Sequence, residues 1–173
     1  MKTTVSNVPG IVSCLARWTV IALGVLLSAC SPPTSFTIDD FQIPADATYG
    51  QACFQEAEAS GIRPGQIESA TYRADATYRR GLSVGPDQIE IRFYARSTPP
   101  ADTCIDATDP GNIAISDTIS LVVRTPKRIE VGGPELAAVL ATGTYWLGAT
   151  VQNASFGFGD SVRFTNGRLF VHY

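Results

Sequence analysis

The side chains of this sequence that could bind a metal or attack a substrate fall into no recognisable catalytic motif. The single histidine, His172, has no cysteine or serine motif to serve, and the chain carries no Gly-x-Ser-x-Gly elbow, no His-Glu-x-x-His pair and no phosphate-binding loop. The neighbouring carboxylates Asp39 and Asp40 cannot act as acid and base across one substrate, because adjacent strand residues point to opposite faces. Oxygen ligands gather at Asp102, Asp106, Asp109 and Asn112, a set that a hard cation such as Ca²⁺ accepts. Their spacing departs from the Asp-x-Asp-x-Asn-Gly loop, and Asp, Asn, Gly and Pro are also the residues of tight turns. Turn chemistry is therefore the preferred reading. No catalytic residue, cofactor or metal is expected from motifs.

Aromatic side chains offer binding chemistry instead. Asn153-Ala-Ser-Phe-Gly-Phe-Gly-Asp160 places Phe156 and Phe158 in a glycine-rich loop, where they could meet a ligand, a sugar ring or lipid. Against this stands continued alternation, with both rings capping one end of the core. Tyr94, Trp146, Phe170 and His172 fall on outer strand faces and, if clustered, would make a platform for carbohydrate or a partner protein. The competing reading buries them under a loop or under a helix at Leu136–Leu140.

The cysteines and the leader carry the clearest signal. Lys2 and Arg17 are the only charges before residue 30, and an apolar run of about a dozen residues follows Arg17. This is the charged, apolar and small-residue sequence of an export signal. It falls short of the roughly 20 apolar residues that span a bilayer, and it ends in Ser31-Pro32-Pro33. Its last four residues, Leu27-Ser28-Ala29-Cys30, resemble the lipobox of bacterial lipoproteins. The resemblance covers the leader alone. It implies that residues 1–29 are a signal peptide, that Cys30 Sγ takes a diacylglycerol, and that the new amino group is open to acylation with a fatty acid such as palmitate. Each buried CH₂ contributes about 0.8 kcal/mol to such an anchor, so two or three chains hold firmly where one does not. The alternative is a secreted protein with a chance cysteine at its cleavage site. Residues 30–35 then form the lipidated cysteine and a short spacer, setting the domain close to the cell membrane or outer membrane, on its periplasmic or exterior side. Ser31 after the cysteine is compatible with the outer membrane.

With Cys14 in the leader and Cys30 lipidated, Cys53 and Cys104 remain as a pair bound for an oxidising compartment, where a disulfide is the default. Cys-x-x-Cys redox spacing is absent, and a zinc site would have only His172 to draw on.

Removing residues 1–29 from the 173 leaves 144, enough for one domain with a real core. The leader holds two positive charges and no negative one, so the net charge of −3 becomes −5 for the mature part. This disfavours a nucleic-acid partner, which wants a basic face. Arginine outnumbers lysine eleven to two. That bias serves bidentate recognition of anions, but GC-rich coding also produces it, and the second reading is preferred.

The elements that must position these residues read mostly as strands. Phe36–Ile43 alternates but changes parity at Asp39-Asp40, predicting a bulged strand. Gln51–Ser60, with Glu56, Ala57, Glu58 and Ala59 before Gly61, predicts a short helix carrying Cys53. Gln66–Arg80 and Gln88–Ser97 alternate cleanly, and Gly85-Pro86 between them suggests an antiparallel hairpin. Residues 98–117 form a long irregular loop. Thr118–Thr125 and Arg128–Val131 read as strands, Gly133–Leu140 as a turn or two of helix starting at Pro134, and Thr144–Asn153 as another strand. Asn166-Gly167 between Ser161–Thr165 and Arg168–His172 predicts a type I′ hairpin pairing Phe164 with Leu169 and Val162 with Val171. About seven short strands and two minor helices describe an all-β antiparallel sandwich over residues 36–173, immunoglobulin-like in the broad sense. A small closed barrel is the alternative. The functional expectation is a lipid-anchored envelope module that binds or scaffolds, with an envelope protein or a glycan as partner. The alternatives are a solute- or glycan-binding lipoprotein and, further off, a hydrolase without a motif.

Overall fold

Alternating burial along the longest strands organises the molecule, because a strand with every second residue apolar can bury one face only against another layer. The computed structural model describes residues 33–45, 47, 49–57, 62–63, 65–82 and 85–173. The leader, the Leu27–Cys30 motif and Cys14 lie outside the described residues. In chain order the elements are Thr34–Ile38 (β1), Phe41–Ile43 (β2), Gln51–Glu56 (β3), Ser69–Arg79 (β4), Gln88–Arg96 (β5), Cys104–Asp106 (β6), Ile113–Ala114 (β7), Ile119–Val122 (β8), Lys127–Gly133 (β9), the helix Pro134–Leu140 (α1), Trp146–Val151 (β10) and Ser161–His172 (β11).

The strands form two antiparallel sheets, as a sandwich requires. The first runs β1-β11-β4-β9, with β2 continuing β1 along β11; the second runs β6-β3-β10-β5-β7, with β8 alongside β5. Tyr72, Ala74, Ala76 and Tyr78 of β4 face Ile89, Ile91, Phe93 and Ala95 of β5 in one buried core. Phe93 packs edge-on against Phe164, with ring centroids 5.1 Å apart, and Phe164 stacks on Phe41 at 4.5 Å. Helix α1, started by Pro134, buries Leu136, Ala137, Val139 and Leu140 against β4 and β9 of one sheet and β5 and β7 of the other.

Several expectations need correction. Residues Gln51–Glu56 are a strand, not a helix, and Cys53 pairs across to Cys104 in β6. Burial of Ala52, Cys53 and Phe54 on both sides of β3 overrides the Glu/Ala composition that suggested a helix. Glu58–Gly61 lie outside the described residues. The β4 and β5 strands form as expected but lie in opposite sheets, so they do not pair as a hairpin. The end of β4 is tied to the start of β5 by Arg80 Nη1 to Asp87 Oδ1 at 2.6 Å and by the Tyr78 hydroxyl, which donates to the Pro86 carbonyl at 3.2 Å. Eleven strands are present among the described residues, several of them only two to four residues long, with a single helix.

The Asn166-Gly167 hairpin is likewise absent: β11 runs straight through it. Val162 and Phe164 are inward before these residues, and Leu169 and Val171 after them, so the strand changes parity there. Continuous β4 cannot follow, and the β11–β4 register slips between Thr165 and Arg168. The β1–β2 strand changes parity at Asp39-Asp40 opposite the same point, so it keeps register with β11 throughout, Ile38 facing Gly167 and Phe41 facing Phe164. Asn166 has φ 56°, the left-handed geometry a turn would have needed, here serving a bulge. A Cβ on Gly167 would lie 2.8 Å from the Ile38 carbonyl oxygen, so the close approach of β1 requires glycine.

Candidate functional site

The outer face of the second sheet is where chemistry collects. Cys53–Cys104 forms the expected disulfide, closing a sequence separation of 51 residues. With β6 on one edge of that sheet and β7 near the other, residues 107–112 cross its outer face. Beneath lies a second small apolar cluster of Ala52, Phe54 and Tyr94, packed by Ile105, Ala107 and Trp146. Gly148 in β10 leaves the space that the Phe54 ring occupies. Tyr94 is only 8% exposed and Arg96 only 6%. The face expected to be wet is therefore roofed at this end, by the 98–112 loop and not by α1.

Arg96 is the post under that roof. Its Nε donates to the Thr98 carbonyl at 2.8 Å and its Nη1 to Asn112 Oδ1 at 2.9 Å, with Asp109 Oδ1 3.5 Å away. The loop acids serve turns: Asp109 Oδ1 accepts from Gly111 N, Asp102 Oδ1 from Thr103 N, and Asp106 Oδ1 from both the N–H and the hydroxyl of Thr108. Asn112 Nδ2 donates to the Asp106 carbonyl at 3.0 Å. The oxygens once grouped as cation ligands thus point into their own backbone or at a guanidinium. Among the described residues no three His, Cys, Asp or Glu side chains come together as a metal site.

Beside the roof an open groove of about 640 Å³ is lined by Tyr49, Gln51, Arg92, Tyr94, Asp106 and Gln152, with Thr108 at its rim. Its floor is sheet: Arg92 sits opposite Thr150 of β10, which sits opposite Ala52 of β3. Its wall is the loop, held by the Ala107 N–H donating to the Gly50 carbonyl at 2.7 Å. Tyr49 stands 63% exposed above it. Among the described residues Arg92 Nε is buried without a hydrogen-bond partner, and the same side chain lines the groove. The Thr108 hydroxyl, and next its N–H, hold the Asp106 carboxyl below its ordinary range, keeping the opposite rim anionic. The groove thus offers a cation, an anion, amides and a tyrosine ring, the set that orients a polyhydroxylated or acidic ligand.

The sequence singled out Tyr94 and Trp146 here, and they do share one cluster, as part of the packing more than as a platform. Phe170 and His172 lie on the outer face of the other sheet. Phe156 packs against the core and stacks on Tyr78 at 6.2 Å, whereas Phe158 is 84% exposed at the loop tip. The loop is held by Asp160, whose carboxylate accepts from Gly157 N and Gly81 N. Tyr49 and Arg92 were not flagged by sequence: Tyr49 lies in an unpatterned segment, and Arg92 looks like any outward residue of an alternating strand. Elsewhere burial raises the Tyr72 and Tyr145 phenols, whose hydroxyls are buried and have no hydrogen-bond partner among the described residues, with the Asp40 carboxylate adding to the effect at Tyr72. No known protein family matches this chain, and no curated protein is significantly similar to it.

Proposed function

We propose that this chain is a lipid-anchored cell-envelope protein whose sandwich is a binding module, with the groove beside the disulfide-pinned loop as its ligand face. The anchor rests on Leu27-Ser28-Ala29-Cys30 and its resemblance to the lipobox. The observation that carries the binding role is Arg92, buried at Nε without a partner among the described residues and lining a groove that exposed Tyr49 also lines. A buried donor left unpaired costs about 1–3 kcal/mol, and a ligand oxygen would recover that cost. The ligand class that fits is an acidic glycan: a ring or hydroxyl face for Tyr49, a carboxylate for Arg92, and hydroxyls for Asp106 and Gln152.

Two experiments separate the halves of this reading. Cys30→Ala should leave the protein unlipidated and unprocessed; a fully mature protein that still partitions into membranes would remove the anchor. The full chain in mild detergent should cosediment with purified peptidoglycan sacculi, and Arg92→Ala and Tyr49→Ala should each lower the bound fraction severalfold. Cosedimentation of both variants at the level of the parent chain would remove the groove as the binding face.

A further inference from the structure

The outer face of the first sheet carries a different arrangement. Cross-strand pairing sets one row Thr37–Arg168–Arg73–Glu130 and a second row Thr165–Asp75–Arg128. Directly opposed side chains on adjacent antiparallel strands have Cβ atoms about 4.5–5.5 Å apart, and like charges so placed destabilise a sheet. Arg168 and Arg73 are such a pair. Arg73 is compensated: Glu130 accepts from its Nε at 2.8 Å and from its Nη2 at 3.1 Å, and its guanidinium lies 4.6 Å from the centre of the Phe170 ring. Arg168 and Arg128 are not. Asp75 faces Arg128 across the strands, yet its Oδ2 accepts from Asn166 Nδ2 at 2.9 Å, and among the described residues neither arginine has an ion-pair partner within 4 Å.

The β11 bulge opens a hollow of about 370 Å³ at this point, lined by Arg73, Arg128 and Arg168 with Asp75, Asn166 and Phe170 among its other walls. With Glu130 set against Arg73, the three arginines and the two carboxylates Asp75 and Glu130 leave this point of the sheet with a charge of +1, on a chain whose net charge is −3. Guanidinium forks match the oxygens of a phosphoryl group in pairs. We propose that this hollow binds a phosphate oxyanion, with Arg128 and Arg168 as its ligands and Arg73 as the third, already oriented by Glu130 and Phe170. Free phosphate and the glycerophosphate headgroup of an anionic lipid share this chemistry. The inference is independent of the groove on the opposite sheet.

Isothermal titration of the full chain in neutral detergent with inorganic phosphate, and separately with water-soluble glycerophosphoglycerol, tests it. Saturable binding is expected, with tighter phosphate binding assigning the site to the free ion and tighter glycerophosphoglycerol binding assigning it to a headgroup. Arg128→Gln and Arg168→Gln should each weaken binding about tenfold, and the double variant should abolish it. Arg79→Gln, exposed on the same sheet outside the hollow, should bind as the parent does. Absence of saturable binding to either probe would overturn the proposal, as would affinity that survives the double variant or falls equally in Arg79→Gln. Both ligand arginines are exposed, so circular dichroism should show each variant folded.

Discussion

The two outer faces of this sandwich solve the same problem differently. Each sheet turns one side to the core and must do something with the other. On the β3-β10-β5 sheet, a loop pinned by Cys53–Cys104 folds over the outer face and builds a second apolar cluster around Phe54 and Tyr94. On the β11-β4-β9 sheet no such roof covers the arginines among the described residues, and the face is held by cross-strand charge pairs and by Arg73 against Phe170. A roofed face can enclose a shaped groove with a buried donor; a bare one can present charge to a flat or large partner. One fold thus offers a built cleft and a charged surface on opposite sides.

The largest effect that would break this contrast is loss of the roof's pin. Replacing both Cys53 and Cys104 by Ala should cost about 4 kcal/mol by loop-closure entropy over a separation of 51 residues. Denaturant unfolding measures it, and a change below about 1 kcal/mol would mean that hydrogen bonds such as Arg96 to Asn112 hold the loop alone. Next comes the same residue type on the two faces. Phe54→Ala, buried under the roof, should cost about 3 kcal/mol. Phe170→Ala, half-buried on the bare sheet, should cost less than about 1 kcal/mol. Equal losses would erase the distinction between a second core and a surface. The smallest effect is electrostatic. The folded Asp106 carboxyl titrates below its ordinary value of 3.8, so its contribution to stability is full above that value and is lost as pH falls through the folded midpoint. Thr108→Val removes the hydroxyl donor and should move the midpoint back upward, read by carbon-13 NMR of the carboxyl; an unmoved midpoint would deny that this hydrogen bond orders the groove's rim.

Much of the fold was legible because it follows from period-2 burial. Strands β4, β5 and β10, the edge strand β9, the Pro134 helix start and the Cys53–Cys104 pair all follow from patterning and cysteine accounting. What failed failed for tertiary reasons. Strand β3 is buried on both faces, so it shows no alternation, and its Glu and Ala content suggested a helix. Asn166-Gly167 correctly signals left-handed backbone at Asn166, but the same geometry serves a turn or a bulge, and only the partner strands decide between them. Successive strands usually pair, yet β4 and β5 divide between sheets, which no local signal marks. The groove was the least legible feature, since Tyr49, Arg92 and Asp106 are brought together by a loop whose path the disulfide sets.

Hydrogen–deuterium exchange of the full chain with and without soluble peptidoglycan fragments tests the binding face most directly. The expected result is added protection at Tyr49–Gln51, Arg92–Tyr94 and Asp106–Thr108, with β4, β9 and β11 unchanged. Protection confined to the arginine-bearing sheet, or none anywhere, would contradict the assignment of the roofed groove as the ligand site.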